Sequence, residues 1–150
     1  MEERSQTIQT FFEEYERHFN DSLNDQIADI EEIMSESFAE CFVESSPVGV
    51  MCGKNDDNFI RNILKGIEFY KSIGSKSMHI TDTQIESLDN YHDMVKVQWQ
   101  YAYEKNQNTG TIDFQVIYFL RTVEDEMKIF AYIAGDEQKA LQERGLVAGQ

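Results

Sequence analysis

This 150-residue sequence is poor in proline, cysteine, histidine and basic charge. It contains one proline, two cysteines and three histidines, and 13 Lys and Arg residues stand against 28 Asp and Glu residues. A formal net charge of −15 repels phosphate backbones and anionic lipid, so we expect neither nucleic acid nor a membrane surface as a partner. No run approaches the roughly 20 apolar residues that a membrane-spanning helix requires.

The two cysteines, Cys41 and Cys52, indicate no disulfide framework. No apolar signal segment precedes the first charged helix, so we expect a cytoplasmic protein whose thiols stay reduced. Both cysteines are then predicted to be buried small hydrophobic side chains. Acidic residues are concentrated in residues 1–44, and we interpret them as a solvated helix face, with an acidic docking face for a basic partner as the alternative.

The length favours a single domain over residues 1–150, with enough apolar side chains for a real core. Ten Phe, seven Tyr and one Trp supply much of that apolar area. No internal repeat, low-complexity tract or interdomain linker interrupts the chain.

Alternating apolar positions mark the stretch from Tyr91 to Ala134 as three consecutive strands. A period of two sends neighbouring side chains to opposite faces of a sheet. The residues expected on one heavily aromatic face are Val95, Val97, Trp99, Tyr101, Tyr103, Ile112, Phe114, Val116, Tyr118, Leu120, Phe130 and Tyr132. The opposite face is mixed and includes Gln98, Gln100, Asp113, Gln115, Ile117 and Phe119.

Helical spacing of apolar residues dominates the chain before these strands. An amphipathic helix is predicted from Ser5 to Phe19 and ends at the Asn20-Asp21-Ser22 cluster. The apolar stripe of a second helix is Ile27, Ile30, Ile33, Met34 and Phe38. A third helix is predicted over 57–73, with N-cap candidates before it and Gly74 as its C′ residue.

Shorter segments complete the order of elements. The segment 48–53, after Pro47, is predicted to form a turn and a short edge strand. A strand over 76–88 changes phase between Ile80 and Ile85, which indicates a bulge. Asp136 is expected to cap a last short helix holding Ala140 and Leu141. Helices gathered before an antiparallel meander predict an α+β domain, in which a curved sheet wraps over the helices as a cone.

Several short motifs resemble the nuclear transport factor 2-like superfamily, which includes SnoaL-like polyketide cyclases and ketosteroid isomerases. They are the sequences Tyr15-Glu16-Arg17-His18-Phe19-Asn20-Asp21, Ser46-Pro47-Val48-Gly49, and Tyr118-Phe119-Leu120-Arg121 followed by Met127-Lys128-Ile129. The resemblance spans almost the whole chain and implies a cystatin-like cone. It also implies a homodimer through the outer sheet face and a small apolar ligand inside the cone.

In the isomerase branch of this superfamily, a helix tyrosine and a strand acid hold an oxyanion while a carboxylate before the proline moves the proton. Tyr15 matches the tyrosine, but Ser46 stands before the proline and the strand position falls near Tyr118. We therefore assign no catalytic residues. An enzyme remains the alternative, using Tyr15, Tyr118 and either His79 or Glu44.

The sequence predicts no metal site and no cofactor. His18, His79 and His92 form no ligand spacing typical of a metal site, and Asp89, His92 and Asp93 are interpreted as a solvated hairpin end. The segment 49–54 is one residue short of a phosphate loop and lacks its Ser or Thr.

The aromatic residues are the remaining candidates for a site. We predict a ligand-binding lining made of Tyr15, Phe59, Trp99, Tyr101, Tyr118 and Tyr132. The alternative is that these rings simply fill the core. The function that follows is binding of an unidentified small apolar ligand, with an enzyme and a dimeric protein-interaction module as alternatives.

Overall fold

A computed structural model describes residues 2–25 and 29–135 together with residues 137, 139 and 141. Three helices and six strands are assigned within these residues. The helices are α1 (Glu2–Leu23), α2 (Ile30–Ser35) and α3 (Asp57–Ser72). The strands are β1 (Phe38–Ser46), β2 (Gly49–Lys54), β3 (Ser75–Ser87), β4 (His92–Lys105), β5 (Asn108–Val123) and β6 (Glu126–Ala134).

The strands form one curved, open, mixed sheet in the order β2-β1-β6-β5-β4-β3. Strands β3 to β6 pair antiparallel in sequence order, as the meander prediction required. Strand β1 pairs in parallel with β6, and β2 forms the predicted edge strand beside it. The α+β prediction is confirmed, although the sequence did not predict the parallel pair.

The predicted alternation along β4 and β5 is confirmed by burial. Val95, Val97, Trp99 and Tyr101 are all almost completely buried on the inner face. The predicted bulge in β3 is also present, because the pairing with β4 shifts between Ile80 and Asp82. Each of these features follows from the period of two and its interruption.

One position of the aromatic face was predicted wrongly. The pairing of β5 with β6 shifts, so that Leu120 lies opposite Ile129 and Phe119 opposite Ala131. This bulge turns Phe130 to the outer face, where its ring lies near that of Phe119. Tyr132 returns to the inner face. Phe130 and Tyr132, which were both predicted on the aromatic face, therefore lie on opposite faces of the sheet.

The helix boundaries differ from prediction at two places. Helix α1 continues past Asn20 because the amide side chain of Asn20 bonds the backbone of Met78, accepting from its N–H at 2.6 Å and donating to its carbonyl at 2.7 Å. Helix α2 ends at Ser35, so the assignment of Phe38 to a helix was wrong; Phe38 begins β1. Ile27, also assigned to that helix, lies outside the described residues, as do Asp136 and Ala140 of the last predicted helix.

Helix α3 follows the prediction closely. The Asp56 side chain accepts the backbone N–H of Phe59 at 3.0 Å and so caps the first turn. Gly74 has a φ of +86°, and a Cβ at this position would meet the Glu104 carbonyl. Glycine is therefore required where the chain turns from α3 into β3.

The helices cover the inner face of the sheet, and the end of the cone where the start of α1 covers β4 is called the closed end. Ile8 and Phe12 of α1 are buried there against the sheet. In the described part of the chain, no helix has the length and apolarity to cross a bilayer.

The cysteine prediction was wrong, because Cys41 and Cys52 are both exposed free thiols. They lie on the β1–β2 ladder, where Cys41 pairs with Lys54 and Cys52 with Val43. This hairpin forms the sheet edge and its tip projects into solvent, with Val48 88% exposed. The apolar composition of this segment was mistaken for burial, whereas the segment lies at the exposed edge of the sheet.

Candidate functional site

An aromatic cavity of about 210 Å³ lies inside the cone between the helices and the sheet. Four of the six predicted lining residues surround it: Tyr15, Trp99, Tyr118 and Tyr132. The other residues that line it are Phe19, Phe38, Glu44, Tyr70, Met78, Phe114, Val116, Ala134 and Glu137. The sequence therefore predicted much of the aromatic wall and named Glu44 as a candidate base of the alternative enzyme, but it gave no indication of Glu137.

The helix and the sheet bring the aromatic rings together from distant parts of the chain. The ring of Tyr15 on α1 lies 6.0 Å from that of Trp99 on β4 and 6.1 Å from that of Tyr118 on β5, centre to centre. The indole N–H of Trp99 donates to the Tyr118 hydroxyl at 3.1 Å. This bond satisfies a buried donor and fixes the relative position of the two rings.

The other two predicted lining residues lie behind or beside this cavity. Tyr101 is completely buried and does not line it, although its hydroxyl reaches Glu137. Phe59 packs on Phe42 with a centroid distance of 4.5 Å and lines a neighbouring groove. That groove shares Glu44 and Tyr132 with the central cavity, so Phe59 lies next to the site rather than within its wall.

Glu137 is a partly buried carboxylate that no sequence motif singled out. Its Oε1 accepts hydrogen bonds from the Tyr70 hydroxyl at 2.7 Å and the Tyr101 hydroxyl at 3.2 Å. Burial raises the pKa of Glu137 above its ordinary value, and the two phenol hydrogen bonds act in the opposite direction. A local sequence feature that could have drawn attention to Glu137 is Gly135, which follows the last residue of β6. The N–H of Gly135 donates to the Gln115 carbonyl where the chain leaves this strand.

Glu44 enters the same cavity from β1. It was considered as a substitute base two residues before Ser46, and the structure places it in the wall while Ser46 lies in the cleft outside. Burial raises the pKa of the Tyr132 phenol, and the negative charge of Glu44 raises it further. A hydrogen bond to Glu44 acts in the same direction, so the phenol stays protonated and donates towards that carboxylate.

The other tyrosines of the cavity wall are also protonated, neutral phenols. Burial raises the pKa of Tyr15 and of Tyr118, and each remains a neutral hydroxyl. The pKa of Tyr70 is raised by burial and then by the carboxylate of Glu137. The cavity thus offers uncharged phenolic donors and carboxylate acceptors on an apolar wall.

The cavity opens towards solvent through a cleft of about 620 Å³. Glu44, Tyr70, Ala134 and Glu137 line both spaces and so mark the mouth between them. Among the described residues that line either space, none is Lys, Arg or His. Both carboxylates therefore lie at the mouth between the cavity and the cleft.

The histidines lie away from this site. His79 is exposed on β3, and its neighbour Met78 is the residue that faces the cavity, so His79 is not a cavity acid or base. His92 bonds Asp89 at 2.8 Å near the surface. Within the described residues, no three His, Cys, Asp or Glu side chains are grouped as metal ligands.

Asp93 corrects the interpretation of a solvated hairpin end. It is 1% exposed, and its Oδ2 accepts a hydrogen bond from the Nε of Arg4 at 2.7 Å and lies 2.7 Å from Nη2 of the same guanidinium as an ion pair. Arg4 lies on α1, 89 residues away in the chain. A long-range ion pair therefore ties the start of α1 to β4.

Comparison with known proteins places this architecture in a family. The family model described as NTF2-like protein (DUF6841) matches residues 2–137. The chain belongs to this family, and the predicted resemblance to the nuclear transport factor 2-like superfamily is confirmed. A search of curated proteins finds no match to the sequence.

Solved structures with the same fold are remote in sequence. An NTF2-like protein with a cystatin-like fold from Novosphingobium aromaticivorans has a TM-score of 0.68 and 11% identity, covering 98% of this chain and 90% of that one. An NTF-2 like protein of unknown function from Shewanella oneidensis has a TM-score of 0.64 and 17% identity, covering 89% and 99%. A ketosteroid isomerase-like protein from Erwinia carotovora atroseptica has a TM-score of 0.64 and 12% identity, covering 87% and 93%. At these identities the likeness shows the fold alone.

Proposed function

We propose that this protein binds a small, mainly apolar molecule inside the cone. The observation that carries the proposal is the cavity of about 210 Å³, which the aromatic side chains surround but do not fill. A dry protein cavity of about 150 Å³ holds benzene. The space therefore suits a molecule with one ring and a short chain, oriented by the neutral hydroxyls of Tyr15 and Tyr132.

Two measurements test this proposal. Native mass spectrometry of the freshly purified protein, compared with its denatured mass, reports any retained small molecule. Trp99 is the only tryptophan and lines the cavity, so its fluorescence should change on titration with 2-phenylethanol, a one-ring probe.

A matched pair of variants separates the cavity from the rest of the sheet. Ala134→Leu adds volume at the mouth and should weaken probe binding. Ala131→Leu makes the same change on the outer face of the same strand, where Ala131 lies opposite Phe119, and should leave binding unchanged. Equal probe binding by the two variants and the parent protein would place the probe outside the cone.

Proton-transfer catalysis is the second candidate function. It is favoured by the shared wall that holds Glu44, Glu137 and four neutral phenols, since a carboxylate base and phenolic donors can enolise a carbonyl compound. A structural neighbour described as ketosteroid isomerase-like makes the same chemistry worth testing here. One carboxylate would take the proton from carbon while a phenol hydrogen-bonds the carbonyl oxygen.

Hydrogen exchange tests this candidate without knowledge of the natural substrate. 4-Phenyl-2-butanone in D₂O should incorporate deuterium next to its carbonyl, as followed by NMR. Glu44→Gln should lower the exchange rate, whereas Asp113→Asn on the outer face should not. Exchange that is equal in the parent protein and in Glu44→Gln contradicts a role for this base.

The proposal includes a homodimer formed through the outer sheet face. The supporting feature is an apolar patch, Ile117, Phe119, Phe130 and Ile133, beside hydrogen-bonded polar pairs such as Gln98 with Gln115. An apolar patch with a polar surround is typical of an interface. Phe119→Lys should yield a monomer in light scattering, whereas Val50→Lys at the β2 edge should not; a monomeric parent protein contradicts the dimer.

A cytoplasmic location is part of the same proposal. Reducing conditions there keep exposed cysteines as thiols, and Cys41 and Cys52 are both free and exposed. Cell fractionation of a tagged protein tests the location, and recovery from an oxidising compartment would contradict it.

A further inference from the structure

The mouth of the cavity holds two carboxylates, Glu44 and Glu137. Glu137 accepts two hydrogen bonds, both on Oε1, and both from neutral phenols. Within the described part of the chain, neither Glu137 nor Glu44 forms an ion pair. A partly desolvated carboxylate is stabilised far better by a positive charge than by neutral donors alone.

The aromatic wall adjoining these carboxylates has the second property of a cation site. Tyr15, Trp99 and Tyr118 present their rings to the same cavity as Glu44 and Glu137. The negative faces of aromatic rings attract ammonium groups, and the attraction grows when the groups are removed from water. Rings and carboxylates in one enclosed space therefore favour the same kind of ligand.

The charge of the whole molecule acts in the same direction. The formal net charge is −15, and the described residues lining the cavity and cleft include no basic side chain. Walls of low dielectric constant focus such a field into a cleft. Organic cations should be concentrated at the mouth and anions excluded from it.

We propose that the cavity binds a protonated aralkylamine, with its single ring among Tyr15, Trp99 and Tyr118 and its ammonium group at the mouth beside Glu44 and Glu137. This inference rests on the proposed function and names the ligand class of the same cavity. A bare metal ion fits poorly because the remaining wall is aromatic and aliphatic, with no further carboxylate or histidine among the described lining residues. A neutral ligand of the same shape would leave both carboxylates without a counter-charge.

Three probes of nearly equal size test the inference against the proposed function. They are 2-phenylethylamine, 2-phenylethanol and phenylacetate, which carry a positive, zero and negative charge on the same ring. Each is titrated by calorimetry and by Trp99 fluorescence at pH 7. We expect the amine to bind about tenfold or more tighter than the alcohol, and phenylacetate to bind most weakly, since charge-assisted hydrogen bonds exceed neutral ones.

Variants then locate the ammonium group. Glu137→Gln and Glu44→Gln keep the side-chain shape and should each reduce amine affinity at least about fivefold while leaving alcohol affinity within about twofold. Asp113→Asn removes one negative charge from the outer face and should leave the preference for the amine unchanged. Circular dichroism confirms that each variant is folded before titration.

The outcomes separate the inference from the function on which it rests. Equal affinity for the amine and the alcohol, or an amine preference that survives both Gln variants, overturns the inference and leaves the binding cavity standing. Failure of all three probes to perturb Trp99 or release heat overturns both. A preference for the amine that is lost in either Gln variant and retained in Asp113→Asn supports both.

Discussion

The two ends of the cone each hold a carboxylate beneath the surface, and they differ in what neutralises it. At the closed end, Asp93 is 1% exposed and pairs with the Arg4 guanidinium. At the open end, Glu137 accepts hydrogen bonds from the phenols of Tyr70 and Tyr101 and forms no ion pair with another described residue. The carboxylate of Asp93 is neutralised within the fold, whereas that of Glu137 faces the cavity proposed as the binding site.

Packing should make the largest contrast between the two ends. Phe12 is 1% exposed at the closed end, whereas Phe59 is only partly buried beside the open cavity. Phe12→Ala should lower the free energy of unfolding by about 3–5 kcal/mol, because it leaves a cavity that the core cannot refill. Phe59→Ala should cost clearly less, as measured by urea denaturation of both variants. Equal losses would mean that the open end is packed as tightly as the closed one.

The ion pair at the closed end should give the next largest effect. Arg4→Met keeps much of the side-chain volume but leaves the Asp93 carboxylate buried without its cation. Removing one partner of a buried pair costs about 3–5 kcal/mol, and the partial exposure of Arg4 points to the lower end of that range.

The double variant Arg4→Met/Asp93→Asn provides the control for this prediction. It removes both charges and should recover part of the lost unfolding free energy, which a double-mutant cycle measures. A loss under about 0.5 kcal/mol in Arg4→Met would place the pair among surface salt bridges.

A smaller effect is expected where the cavity wall is fixed by a hydrogen bond. Tyr118→Phe removes the hydroxyl that accepts the Trp99 indole N–H and leaves a buried donor unpaired. We expect a loss of about 1–2 kcal/mol in unfolding free energy and a change in Trp99 emission. Tyr91→Phe, at an exposed tyrosine, is the matched control and should change neither. Unaltered emission in Tyr118→Phe would contradict the role of this bond in holding the wall.

The fold was predictable where local patterns determine it. Alternation placed Val95, Val97 and Trp99 on the inner face, and Asp56 and Gly74 marked the ends of α3. The parallel pairing of β1 with β6 joins segments about 90 residues apart, and no local periodicity encodes that partner. Sequence therefore predicted the layers of this fold better than the neighbour of its first strand.

The candidate site was predictable in its aromatic part and, as an alternative base, at Glu44, but not at Glu137. Trp99 and Tyr118 follow from the strand pattern, but a glutamate after a strand looks the same whether it is solvated or buried. Glu137 acquires its environment from Tyr70 and Tyr101, which are 67 and 36 residues away along the chain. Tertiary contacts of this kind are invisible to composition and spacing.

The smallest predicted effect concerns the charge of Glu137 and depends on pH. Because burial raises its pKa above the unfolded value, ionising Glu137 costs more in the folded state, and stability is lost as pH rises through the folded pKa. Glu137→Gln stays neutral and should unfold about 2–4 °C higher than the parent at pH 8, which corresponds to roughly 1 kcal/mol in a chain of this size. The gap should close as pH falls towards the ordinary Glu pKa of about 4.3.

The exposed acid Asp113 provides the comparison, since Asp113→Asn should show no such pH-dependent gap. If the difference in unfolding temperature between Glu137→Gln and the parent did not change with pH, ionisation of Glu137 would not be its cause. Saturating 2-phenylethylamine should close or reverse this gap at pH 8, because the cation stabilises the ionised carboxylate of the folded parent and binds more weakly to Glu137→Gln, which keeps Glu44 alone of the pair. The open end would then behave like the closed one, with the ligand in the place that Arg4 occupies beside Asp93.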